Sequence, residues 1–112
     1  MGERKPKLTV IGLYGRSNIY RVESFPQAGE TISSSEFLFE PGGKGCNQAV
    51  AASRLGASVC FITAVGTDAY GCCREFLAQE GIVEHFIKEC DLPTASASII
   101  YDQESTSRVI VY

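Results

Sequence analysis

Apolar and polar positions alternate in short blocks along the chain, and the period changes from block to block. "KLTVIGLYG" (Lys7 to Gly15) is an apolar run closed by glycines, the pattern of a buried strand reaching a ligand edge. "NIYRVESF" (Asn18 to Phe25) alternates with a period of two, which predicts a half-exposed strand. "SFPQAGET" is a turn built on Pro26 and Gly29. "ISSSEFLFE" (Ile32 to Glu40) is again extended, with Phe37 and Phe39 on one side.

From Gly45 to Leu55 the composition turns helical, and Gly56 stops the helix. Ala49, Ala52 and Ser53 are small enough for that helix to lie close on a sheet. "SVCFITAVG" (Ser58 to Gly66) is β-branched and aromatic, a buried strand. A second helix is expected over Ala69 to Gly81, capped by Asp68 or Thr67, with Cys73, Phe76 and Leu77 as its apolar stripe. "IVEHFIKE" is a further strand, and the chain closes in a hairpin turning near Asp102 to Thr106. The order fits an α/β unit, with an antiparallel flap added to a parallel sheet.

Composition narrows the classes. At 112 residues the chain suits one small domain or a piece of a larger one. A net charge of −3 gives no basic face for nucleic acid or anionic lipid, and "ERKPK" (Glu3 to Lys7) reads as a solvated tail. No run reaches the roughly 20 apolar residues of a membrane span, and the start lacks the apolar core of a signal peptide. The five cysteines (46, 60, 72, 73 and 90) show neither metal spacing nor an even disulfide count. They read as reduced thiols of a cytoplasmic protein. Cys46 fills an alanine-sized place on a helix, although a helix start can lower a thiol pKa. His85 has no ligating companion in sequence.

The chemistry concentrates in "EPGGKGCNQAVAASRLGA" (Glu40 to Ala57), where Gly42, Gly43 and Gly45 surround Lys44 at a helix start. Glycines there let backbone N–H groups approach a ligand closely. A phosphate-binding P-loop would need Gly at 38 and Ser or Thr after Lys44, but Leu38 and Gly45 are present. A dinucleotide fingerprint fails as well, because "IGLYGRS" offers only Gly12 and Gly15. Backbone donors with the Asn47 amide suit a neutral polyol, most simply a sugar. The alternative is a tight turn in which Asn47 only caps the helix. Lys44 is either a sugar or phosphate contact, or an exposed loop residue.

The stretch "GGKGCNQAVAASRLGA" resembles the first signature of the PfkB, or ribokinase-like, carbohydrate kinases, and "SFPQAGET" and "VGTDAYG" (Val65 to Gly71) resemble that family too. The likeness runs from Val10 to the closing hairpin. It implies the amino-terminal portion of a ribokinase-like doubly wound α/β sheet with a β-flap lid, the lid strands lying at about 18–40 and 96–112. It further implies that Gly43, Lys44, Gly45, Cys46 and Asn47 hold sugar hydroxyls. ATP and Mg2+ are implied as cofactors, with the nucleotide site outside this chain, and a homodimer through the lid strands is implied as an assembly. Family members carry an Asn and an Asp after the first strand, where alignment on "SFP" puts Gly15 and Ser17. In the hairpin, Ser107 precedes Arg108 where the family often has an acidic residue. Either the sugar differs or the site has decayed. The family's catalytic Asp lies in a "GAGD" segment that does not occur in these 112 residues, so no catalytic residue and no metal ligand is expected here. The leading expectation is the substrate and lid portion of an ATP-dependent sugar kinase, inactive by itself. A non-catalytic sugar-binding or dimerisation module is the alternative.

Overall fold

The computed structural model describes residues 4–112, which form seven strands and two helices. The tail reading begins at Glu3, outside the described residues; Arg4 to Pro6 are exposed and irregular. The chain divides into two compact units. The first holds residues 4–15 and Pro41–Ala95, the second Arg16–Glu40 and Ser96–Tyr112.

The first unit is a parallel sheet of β1 (Lys7–Ile11), β4 (Ser58–Gly66) and β5 (Glu84–Cys90), in the order β1-β4-β5. Its two helices are α1 (Lys44–Arg54) and α2 (Tyr70–Gln79). Val59, Phe61 and Val65 alternate inward along β4, and Cys46, Ala49, Cys73 and Leu77 meet them from the helices. Both helices end by the same local chemistry. Gly56 (φ 100°) and Gly81 (φ 76°) take the left-handed conformation, and the next N–H reaches back: Ala57 to Ala52 O at 3.0 Å, Ile82 to Leu77 O at 2.8 Å. Arg54 then joins the helix ends by donating to both Glu80 carboxylate oxygens at 2.8 and 2.5 Å.

The second unit is a four-stranded sheet of β2 (Gly15–Arg21), β3 (Glu36–Gly42), β6 (Ser96–Tyr101) and β7 (Ser107–Val111), ordered β3-β2-β6-β7. Gly15, Pro41 and Gly42, at the ends of β2 and β3, fall in the first unit. The hairpin turns where expected. Asp102 Oδ1 accepts the N–H groups of Glu104 and Thr106 at 3.0 and 2.9 Å, and Ser105 takes φ 62°.

Four expectations need correction. β1 is mostly exposed, because it is an edge strand and one face of its sheet carries no helix among the described residues. The half-exposed strand was expected over Asn18 to Phe25, but β2 starts at Gly15 and ends at Arg21. The flap is not wholly antiparallel: β6 and β7 are, but β2 and β6 run parallel. Residues 22–95 separate those two strands, and a connection of that length permits a parallel pair where a tight turn does not. Finally, neither Thr67 nor Asp68 caps α2; its N-cap is Ala69, with no side-chain hydrogen bond.

Candidate functional site

Parallel α/β sheets bind ligands at the carboxyl ends of their strands, where loops and helix starts converge. In the first unit those ends are Ile11, Gly66 and Cys90. The segment Gly12–Leu13–Tyr14 leaves β1 and is fixed from two sides. Gly12 N–H donates to Ile62 O at 3.1 Å, and Tyr14 N–H donates to Thr63 Oγ1 at 3.1 Å. From the helix, Cys46 N–H donates to Leu13 O at 3.1 Å.

The glycine loop packs against this segment backbone to backbone. A Cβ on Gly45 would stand 2.6 Å from Gly12 Cα, and one on Gly43 would collide with Leu13 O. Gly43 also has φ 99°, a region that side chains strain to occupy. At these two positions, then, the close approach that demands glycine is to the chain's own backbone. It anchors the first turn of α1 beside the carboxyl end of β1.

That anchoring sorts the predicted residues. Gly45 and Cys46 are buried, while Lys44 and Asn47, three residues apart on one helix face, are exposed. Asn47 does not cap: the N-cap is Gly43, with no side-chain hydrogen bond, so the Asn47 amide is not spent on the helix end. Asn47 N–H already bonds Gly43 O at 2.9 Å, whereas the N–H groups of Lys44 and Gly45 open the helix with no intrahelical acceptor. The Cys46 thiol lies in the core at 1% exposure, and burial foremost, then the charge of Glu80, pushes its pKa up to about 11. The helix start does not activate it, and its side chain packs in the core. Gly15 is buried at the start of β2, where a Cβ would come within 3.1 Å of Ala95 O. Ser17 belongs to the second unit, paired with Ala97 on β6.

Two residues escaped sequence reasoning. Thr94, 2% exposed, accepts from Gly66 N–H at 2.9 Å through Oγ1 and donates from the same oxygen to Asp68 Oδ1 at 2.6 Å. Asp68 also accepts from Thr94 N–H, at 3.2 Å through Oδ1 and 3.4 Å through Oδ2. Asp68 therefore fixes the segment after β5 to the end of β4. Tyr14, 2% exposed, sets its ring 6.3 Å from that of Phe76 and its hydroxyl 3.9 Å from Cys72 Sγ. Burial, then the neighbouring thiols, holds the phenol above its ordinary range. No local pattern marks either residue, since their partners lie tens of positions away.

The sequence pattern of the pfkB family carbohydrate kinases matches residues 5–112. The chain belongs to that family. Over 93% of its length it is 37% identical to the ribokinase of Haemophilus influenzae, of which it covers 34%. The Giardia lamblia ribokinase structure superposes with a TM-score of 0.85 at 31% identity, over 96% of this chain and 33% of that one. The Arabidopsis thaliana ribokinase complexed with ribose and ATP superposes at 0.80 with 27% identity, over 97% of this chain and 36% of that one. The chain thus spans about a third of the length of the carbohydrate kinases it matches. The expected α/β class and ribokinase-like fold hold. Among the described residues no group of three or more His, Cys, Asp or Glu could hold a metal ion. No helix among them is long and apolar enough to cross a membrane.

Proposed function

We propose that this chain is the sugar-binding portion, with the lid strands, of a cytoplasmic ATP-dependent carbohydrate kinase that phosphorylates a sugar hydroxyl. One observation carries the reading. The first turn of α1 is locked by Gly43 and Gly45 against Gly12–Leu13, leaving the Asn47 amide, the Lys44 side chain and two N–H groups at the carboxyl end of a parallel sheet. These are hydroxyl-binding groups, placed where open α/β sheets take ligands. The second unit, Arg16–Glu40 with Ser96–Tyr112, supplies the lid, and Ser17 with Gly15 tunes which sugar is accepted. Among the described residues no metal cluster forms, and the sequence carries no P-loop, which supports assigning ATP and Mg2+ to the remainder of the kinase. These residues alone transfer no phosphate.

A second reading, assembly without turnover, is favoured by β7. It is an edge strand whose Val109, Ile110 and Val111 are all exposed, a template for pairing with a second copy.

Kinetics of the full-length kinase test the first reading. Asn47→Ala raises KM for the sugar about tenfold or more and leaves KM for ATP unchanged, the loss expected for an unpaired hydroxyl contact. A full-length protein that binds ATP and phosphorylates no pentose, hexose or nucleoside overturns it. Sedimentation then decides the second reading, since a dimer without turnover, dissolved by a charge placed on β7, is its signature.

A further inference from the structure

Along β4 the side chains that face the helices are Val59, Phe61, Thr63 and Val65, all buried. The others in this row are apolar, and a valine at 63 would fill the same space without a hydroxyl. Thr63 and Thr94 are the buried polar side chains among the described residues. Both spend Oγ1 on a backbone N–H at the carboxyl end of the sheet, Thr63 on Tyr14 and Thr94 on Gly66. Burying a hydroxyl costs free energy unless it is paired, and a paired one fixes a geometry.

The geometry that Thr63 fixes leads to the sugar site. β1 ends at Ile11, and Gly12 N–H still donates to the backbone of β4, at Ile62 O. Tyr14 N–H turns instead to the Thr63 side chain, 3.1 Å away. Between them, Leu13 O accepts Cys46 N–H at 3.1 Å and so holds the first turn of α1. Asn47, the next residue of that turn, is exposed. We propose that Thr63 is a positioning residue for the sugar: through Tyr14 N–H and Leu13 O it sets where the Asn47 amide stands. Without the hydroxyl, Tyr14 N–H is buried and unpaired, and the segment Gly12–Tyr14 shifts to pair it. A shift on the order of 1 Å at a positioning group can cost about a hundredfold in rate. The role of Thr63 toward substrate rests on the sugar reading; the relay of hydrogen bonds does not.

The test uses the full-length kinase. Thr63→Val raises KM for the sugar about tenfold and leaves KM for ATP unchanged, and Thr63→Ser restores the sugar KM to within about threefold. In the Thr63→Val background, Asn47→Ala raises the sugar KM by less than about threefold, because the amide is already misplaced. Val59→Ala, at a buried position near the other end of β4, lowers the thermal midpoint and changes neither KM. Thr63→Ala is read in the same way should the valine variant not fold. An unchanged sugar KM in Thr63→Val, a serine variant no better than the valine one, or fully additive effects of Thr63→Val and Asn47→Ala each overturn the proposal. Amide hydrogen exchange gives a readout independent of substrate: Thr63→Val speeds exchange at Tyr14 and Cys46 about tenfold and leaves Ile82 as it was. Equal protection of Cys46 in both proteins overturns the relay. The expected exchange in a kinase that phosphorylates no sugar counts against the sugar reading alone.

Discussion

The two units are held together by different physics. In the first, every member of the buried apolar cluster, from Tyr14 to Ile82, packs between one sheet face and two helices, and backbones touch where glycine allows. In the second, Val22 is the buried apolar residue, β3 and β7 are mostly exposed, and β2 and β6 are half-buried. Its order comes from ladder hydrogen bonds, the Asp102 turn, and ring contacts such as Tyr20 on Phe37 at 5.2 Å and Arg108 over Phe25 at 4.2 Å. A packed core makes one unit sensitive to volume. A sheet without a core makes the other sensitive to pairing and turn chemistry instead.

Paired substitutions test that contrast. The largest effect belongs to Phe61→Ala, which removes a fully buried ring and destabilises the chain by about 3–5 kcal/mol in urea unfolding. Phe37→Ala, at a ring 54% exposed, changes stability by less than about 1 kcal/mol. Comparable losses would mean that the second unit has a core after all. Next come the glycines: Gly43→Ala and Gly45→Ala each lower stability by about 2–4 kcal/mol through backbone collision. Gly29→Ala meets open space and pays only for its φ of 78°, about 1 kcal/mol.

Thr94→Val removes the acceptor of Gly66 N–H and one of the donors to the Asp68 carboxylate, for about 1–3 kcal/mol, and Thr94→Ser restores most of it. A serine variant as weak as the valine one would assign the effect to the methyl group. The smallest effect is in alkali. Cys46 and Cys73 hold their protons to about 11 and about 12 in the fold, against an ordinary 9.0. The unfolded chain gives up these protons first, so the contribution of these two thiols is level below pH 9 and declines as pH rises above it. Cys46→Ala flattens that decline, and iodoacetamide at pH 8 labels exposed Cys72 before either buried thiol.

What was legible in the sequence follows the range of the interactions. Gly56 and Gly81 were readable as helix stops because a left-handed residue and its two hydrogen bonds lie within one turn. β4 declared itself through its β-branched run, and the hairpin turn through Asp102. The glycine loop was recognisable as special, but the partner that makes it so, Gly12–Leu13, lies some 30 residues away. Asp68 looked like a cap because nothing nearby points to Thr94. The exposed face of β1 was hidden for a related reason, since an apolar run cannot say how much chain covers it.

The parallel pairing of β2 with β6 has a consequence for how the chain is made. Ser17 meets Ala97, so about 80 residues must leave the ribosome between the two halves of that ladder. At a synthesis rate of roughly 5–20 residues per second, β2 waits several seconds for its second neighbour. During that interval residues 41–95 can collapse into their own βα layers, shortening the effective loop that the ladder must close. Synthesis order therefore lets the inserted α/β layer form before β2 and β6 pair.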